Sequence, residues 1–462
     1  MRRLWAIITV IGVATAMVAA EAVTATAAKK AVPGVTKTVI KVGGLASPPN
    51  DTLNVSYPDG FDGAQAYFDI INKKGGVFGR KIEMVAKLSD QGQPSVNIRA
   101  VRSLVEEKKV FAVLPIMTNS FTLGGRYLQQ KGVPSFGINV DPAWCGTSDE
   151  QGKIETDLLT QGKLDQCPRS NLFGEKGSWL CFECPGIGPS YLALQKGIKR
   201  VAVFGYTHIS STKCVTGVVK GFEQYGIQVV HSNQSLQFGF AVSEVASDVQ
   251  AMKDKGAQMI ATCMEFGGGF KISQALKQAG VNNVIVYAPE GYKQSTLDKY
   301  GDQLNNWFFR LGFAPWQATG ADLPKGSKAF LAAMKKLGKE PDEHNQAGWI
   351  NANLLVQGIK KAGKNFTQKS VIDAINHITN FTADGILPPI NWAEDGHGPG
   401  HEACDAWVEA VNGKFVPRFG KPGQPFVCFP DNPRPATIDN PYFQPLMAGE
   451  TKPTVPQAGA GA

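Results

Sequence analysis

No cluster of lysines or arginines marks any part of this 462-residue chain; its 47 basic and 39 acidic side chains are interspersed. The formal charge of +8 and a pI near 8.9 therefore read as solubility, and no nucleic-acid partner is expected. Beyond the N-terminus there is no long apolar run, so the mature chain is expected to be soluble. The nucleophile elbow G-x-S-x-G, the zinc helix H-E-x-x-H and the phosphate loop G-x-x-x-x-G-K-[ST] are all missing. Without a catalytic constellation, an enzyme such as an amidase or a redox protein is the weaker reading. No cofactor is expected.

What is present begins with an address. Arg2 and Arg3 precede an apolar stretch, Leu4 to Ala20, and an A-x-A pattern follows at Ala25, Thr26 and Ala27. This is the layout of a secretory signal peptide over residues 1–28, with cleavage favoured over a retained anchor. No cysteine lies near the cleavage pattern, which argues against a lipid anchor. The mature protein is then secreted, periplasmic or held in the cell envelope.

Eight cysteines in an exported chain point to disulfides. Four of them, Cys145, Cys167, Cys181 and Cys184, fall in a Gly- and Pro-containing stretch from Asp141 to Ile187. That stretch reads as a surface excursion stapled by bridges among the four. Cys181-Phe182-Glu183-Cys184 is a C-x-x-C, read as structural in such a loop. His397 and His401 near Cys404 fit a Gly-rich turn better than a metal site.

On either side of the excursion the chain alternates short apolar runs with helical periods. Strands are expected at Thr38–Ala46, Lys81–Leu88, Val110–Ile116 and Val133–Ile138, with helices between them. The pattern restarts with strands at Lys199–Tyr206, Ile227–Ser232, Gln258–Met264 and Val284–Ala288, and Trp307–Phe313 adds one more. Such alternation predicts an α/β fold of two Rossmann-like lobes with mainly parallel sheets. Two helices follow, near Lys325–Leu337 and Glu343–Ala362. Asn412-Gly413 then signals a hairpin. In a doubly wound sheet the first and third strands are neighbours, so Cys214 can meet Cys263. Cys404 is expected to pair with Cys428.

Several segments together resemble the type I periplasmic binding proteins of the branched-chain amino acid transporter branch. They are Gly43-Gly44-Leu45-Ala46-Ser47-Pro48, FDGAQAYFDIINKKGGVFGRKIEM from Phe61 to Met84, and QQKGVPSF from Gln129 to Phe136. ISQALKQAGV from Ile272 to Val281, Ala288-Pro289-Glu290-Gly291, and Ile390-Asn391-Trp392 complete the set. The resemblance covers about Thr38 to Arg418. It implies two lobes joined by a three-stranded hinge, with crossings near Ser190, Phe313 and Ala383. The lobes would be 37–189 with 314–383, and 190–313 with 384–445, leaving 446–462 as a disordered tail. It also implies a small-molecule ligand, amino-acid-like or related, and as partners an ABC permease and its ATPases. An extracellular sensor of the same fold is the alternative.

Ligands in such folds lie between the lobes at the carboxyl ends of parallel strands. The candidate contacts are Ser47, Tyr57, Thr118, Asn119, Asn139 and Asp141 on the first lobe. On the second they are Tyr206, His208, Glu265, Glu290 and Tyr292. By the resemblance, Thr118 stands where the family has a carboxylate-binding serine. The family's ammonium-binding acid would fall close to Lys271, with Glu265 several residues earlier. Gly267-Gly268-Gly269 opens a helix and could bind an anion or be a plain turn. For each residue alone, a helix cap or solvated loop group is the competing reading.

Overall fold

The computed structural model describes residues 31–51, 54–140, 142–145, 171–177, 187–317, 323–393, 403–429 and 446–447. The signal segment, Asp141, Cys167, Cys181, Cys184, His397 and His401 lie outside them.

Two sheets organise the chain. The first contains β1 (Val39–Ala46), β2 (Lys81–Ser89), β3 (Ala112–Met117), β4 (Ser135–Gly137) and β5 (Leu172–Gly174). All are parallel, in the order β2-β1-β3-β4-β5. β3 is buried along its whole length, as a strand covered by helices on both faces must be. Helices α1 (Asp59–Lys73), α2 (Pro94–Arg102) and α3 (Thr122–Lys131) belong to this lobe.

The second sheet begins with β6 (Arg200–Tyr206), β7 (Gln228–Leu236), β8 (Met259–Cys263), β9 (Ile285–Ala288) and β10 (Trp307–Leu311). These five are parallel in the order β7-β6-β8-β9-β10. β11 (Ala403–Val411), β12 (Lys414–Arg418), β13 (Val427–Phe429) and β14 (Leu446–Met447) continue it antiparallel. Its helices are α4 (Ile187–Gln195), α5 (Ile209–Gln224), α6 (Ala246–Asp254), α7 (Phe266–Gln278) and α8 (Gln294–Tyr300). The α/β architecture of two doubly wound lobes is thus present.

Between β10 and β11 the chain returns to the first lobe as α9 (Lys325–Leu337), α10 (Glu343–Ala362) and α11 (Gln368–Ile375). It therefore passes between the sheets three times. The second and third passages run side by side, with Ala314 N–H donating to the Ile386 carbonyl at 2.8 Å. Phe313, Ala314, Ala383, Ile386 and Leu387 are buried there in a core continuous with both sheets.

The crossing of α1 and α10 depends on glycine. A Cβ on Gly63 would lie 1.6 Å from the Asn345 carbonyl oxygen, and one on Gly348 would lie 1.9 Å from that of Gly60. The two backbones touch, so no side chain fits between them.

Two expectations need correction. The stretch from Asp141 to Ile187 is not all surface excursion, because Leu172–Gly174 is a buried strand of the first sheet. Polar Asn171 and Glu175 bound its three residues, so no longer apolar run marks it as Val133–Ile138 marks β4. The chain from 446 onward does not begin as a disordered tail: Leu446–Met447 pairs with β13, and the rest lies outside the described residues.

The structure bonds Cys214 of α5 to Cys263 at the end of β8, and Cys404 to Cys428 directly across the β11–β13 ladder. The first closes a loop of 49 residues in sequence separation. In the chain-entropy model such a closure stabilises by about 4 kcal/mol. Replacing both Cys214 and Cys263 by serine should cost stability of that order in denaturant unfolding. Gly348→Ala should cost about 1–3 kcal/mol through overpacking at the helix crossing.

Candidate functional site

The order of each sheet reverses beside its first strand, and a crevice opens at the carboxyl ends there. On the first lobe this places Ser47 after β1 and Thr118 after β3. On the second it places Tyr206 at the end of β6 and Glu265 just beyond β8.

Thr118 is fully buried and its hydroxyl is spent inside the protein. It donates to the Asp90 carboxylate, and it accepts from Ser47 Oγ at 3.1 Å and from Ser120 N–H at 3.0 Å. A hydroxyl has one proton and two lone pairs, so this one is saturated. Asp90 also accepts from Gly92 N–H at 2.8 Å and Asn97 Nδ2 at 3.1 Å. The sequence places a carboxylate receptor here; the structure fills the position with the protein's own carboxylate.

Other candidates also have internal tasks. His208 caps α5, its Nδ1 accepting from Ser210 N–H at 3.4 Å. The Tyr292 hydroxyl bonds Gln317 and accepts from Trp316 N–H at 2.7 Å, and its ring stacks on Trp316. Asn139 N–H donates to Glu175 at 3.3 Å. Asn119 is half-buried beside Thr118. Lys271 donates to the Phe240 carbonyl at 2.6 Å, which fixes it on the second lobe. Of the three glycines, Gly268 has a clear reason: a Cβ there would lie 2.2 Å from the Tyr206 hydroxyl.

The remaining candidates gather. A small cavity of about 30 Å³, open to solvent, is lined by Asn54, Ser56, Phe266, Glu290, Gly291, Tyr292, Lys293, Asp342, Glu343 and His344. Tyr57 joins it, its ring edge-on to His344 at 5.1 Å. Burial raises the Tyr57 hydroxyl well above its usual range, and Glu290, Glu265 and Asp90 raise it further. Tyr57 therefore sits among acids from both lobes. Glu290 is pushed up to about 8, first by burial and then by Glu343 and Glu265, while Lys176 opposes the shift. Glu343 is pushed up to about 7 by burial, against Lys176 and two backbone N–H groups, those of Tyr292 and Gly291. Glu265 is raised by burial. His344 is lowered to about 4 by burial, so its ring is neutral at physiological pH.

These groups also close the crevice. Asn54 Nδ2 donates to Thr296 Oγ1 at 2.8 Å, Ser295 N–H to Glu340 at 2.6 Å, and Lys293 faces Asp342 at 3.6 Å. At the opposite lip Ser210 Oγ donates to the Val140 carbonyl at 3.2 Å. Each pair joins an element of the first lobe to one of the second. The structure is a closed form.

Sequence reasoning missed Asp90, Lys176, Lys293, Asp342, Glu343 and His344. The last three open α10, whose start is marked by a capping box between Asp342 and Asn345. That signal identifies a helix end, not the lobe it faces. Among the described residues no cluster suits a metal ion, and no helix is long and apolar enough to cross a membrane. Cys404 is bonded to Cys428, which removes it from any metal set with the neighbouring histidines.

A family model described as periplasmic binding protein matches residues 39–404, most of the chain. The chain belongs to this family. The family is described as one of periplasmic binding proteins. Solved structures agree in fold. A solute-binding protein of an ABC transporter from R. palustris, in complex with benzoate, is 16% identical with a TM-score of 0.62. The match covers 82% of this chain and 95% of that one. LivJ from Streptococcus pneumoniae, in complex with isoleucine, is 18% identical with a TM-score of 0.60, covering 82% and 100%. A fatty acid transporter substrate-binding protein from Thermomonospora curvata is 15% identical with a TM-score of 0.64, covering 84% and 93%. No curated protein matches significantly.

The buried acids give a signed pH dependence. Glu290 and Glu343 keep protons in the closed form that the unfolded chain has lost above about pH 4.5. Their protonated form is thus progressively less favourable as pH rises toward 8, and stability falls. His344 acts oppositely, since below about 6.5 the unfolded chain binds a proton that the folded ring resists. Asp342, raised to about 7, adds to the acids. Lys176 and Lys293 face this cluster, with Asp59, Glu175 and Glu265 around it. Thermal stability of the closed form should therefore fall between about pH 6.5 and 8, and Glu290→Gln should flatten that slope. Thr118→Ala removes one donor from buried Asp90 and should cost about 1–3 kcal/mol of stability.

Proposed function

We propose that this protein captures a small polar solute between its lobes and delivers it to an ABC permease outside the cytoplasm. The observation that carries the reading is the convergence of Tyr57 and Glu343 from one lobe with Glu265 and Glu290 from the other, around a cavity bridged by cross-lobe hydrogen bonds. Family membership supports it. The relatives solved with benzoate and with isoleucine bind different solutes on the same fold, so the ligand is set by side chains and not by architecture. Glu265 and Glu290 on the second lobe, with Tyr57 above them, are the proposed ligand contacts. Ser47 and Thr118 support the crevice wall through Asp90.

Binding should couple to closure, because the lips are polar and joined by few bonds. Solution scattering is expected to show a larger ligand-free particle that contracts on saturation. A thermal-shift screen over amino acids, amides, amines and aromatic acids identifies the class. Saturation about a thousandfold above Kd should stabilise by roughly 4 kcal/mol. Identical dimensions with and without a bound solute would count against the hinge. Failure of every class to stabilise the protein would count against the function.

A further inference from the structure

Resting on that reading of the cleft, we propose that its solute is a small organic cation without a carboxylate, an alkyl diamine or quaternary amine, held by Glu265, Glu290 and Glu343 between Tyr57 and Tyr206. Three independent features carry this.

The end of the crevice that would receive an anion is already negative. Asp90 is fully buried, and it accepts the one hydrogen bond the Thr118 hydroxyl can donate. A ligand carboxylate placed against Thr118 would meet no donor from that hydroxyl and a fixed carboxylate behind it.

Acids also outnumber bases at the other end. Glu265 follows β8, Glu290 follows β9, and Glu343 begins α10, so three separate elements bring them together. Lys176 acts on Glu290 and Glu343, but it lies 3.7 Å from a carboxylate oxygen of its own neighbour, Glu175. Lys293 faces Asp342. The His344 ring is neutral at physiological pH.

Unfinished bonding points into this cluster. The Tyr206 hydroxyl is buried, on a residue only 2% exposed, and the partner within its reach is Glu265, in a geometry short of a normal hydrogen bond. Glu265 Oε2 likewise completes no hydrogen bond of normal geometry. The two groups nevertheless lie close enough to shift one another's titration, and Glu290 acts on the same tyrosine. An ammonium or quaternary nitrogen here would satisfy the Glu265 oxygen electrostatically. Tyr206 packs against Phe238 at 4.4 Å and Tyr57 against His344 at 5.1 Å, which supplies aromatic surface of the kind that holds cations.

The test is calorimetric titration of the purified mature protein with putrescine, choline, leucine and benzoate, each in two buffers of different protonation enthalpy. Putrescine or choline should bind at least about tenfold more tightly than leucine or benzoate. Binding should release protons, so affinity should rise with pH toward 8. Glu265→Gln should weaken cation binding about tenfold or more. Tyr206→Phe, with folding checked by circular dichroism, reports on the same cluster if the glutamine variant fails to fold. Leucine or benzoate binding as well as the cations would overturn the cation assignment and leave the solute-binding function standing. No heat from any of the four, together with unchanged scattering, would overturn both.

Discussion

Glu343 is the first residue of α10, and its carboxylate lies against the backbone N–H groups of Gly291 and Tyr292 on the opposite lobe. Much of the closed crevice is arranged around that contact. It brings Asp342 toward Lys293 and Glu340 to Ser295, and it sets His344 beneath Tyr57. It also carries a carboxylate into a site that already holds Glu290 and Glu265. Burying like charges together is unfavourable, and the acids respond by holding protons at a pH where exposed glutamates have lost them. Any opening that exposed these acids would return them toward the ordinary carboxylate range.

Where α10 stands is fixed far from the cleft. Its backbone touches that of α1 through Gly63 and Gly348, so the helix cannot slide without opening a gap or meeting a carbonyl. A residue at its N-terminus therefore reaches the second lobe at a defined place. Gly268 plays a related part across the crevice, letting the Tyr206 hydroxyl rest on the first turn of α7. Small residues at these two places position the large polar ones.

Much of the architecture was legible because parallel strands buried on both faces are short and nearly continuous in apolar character. β1, β3, β6 and β8 are of that kind, and each ends close to where the apolar run ends. The neighbour rule for the first and third strands also anticipated the pairing of Cys214 with Cys263. β5 and β14 were not legible, being three and two residues long without the longer apolar run that marks the equally short β4. Their strand character comes from their neighbours and not from a local pattern.

The site was readable in part, and the missing part has a physical cause. Strand ends can be inferred locally, so Tyr206, Glu265 and Glu290 could be placed at the crevice from the sequence, as the structure places them. Asp90, Lys176 and Glu343 act through groups 28 to 167 positions away in sequence, and no periodicity reports such a meeting. Thr118 is the instructive case. Its position at a strand-to-helix junction was inferred correctly, yet hydrogen-bonding capacity depends on what already occupies it. Once its hydroxyl donates to Asp90, a threonine that would serve an anionic ligand becomes part of the wall. The cation preference proposed for the crevice rests on Asp90 on one side and the glutamates on the other. A closed form held by backbone donors lowers the cost a ligand must meet to complete closure, while the crowded acids raise it. On the proposed reading, a bound solute weights that balance toward closure to the extent that it relieves the acids.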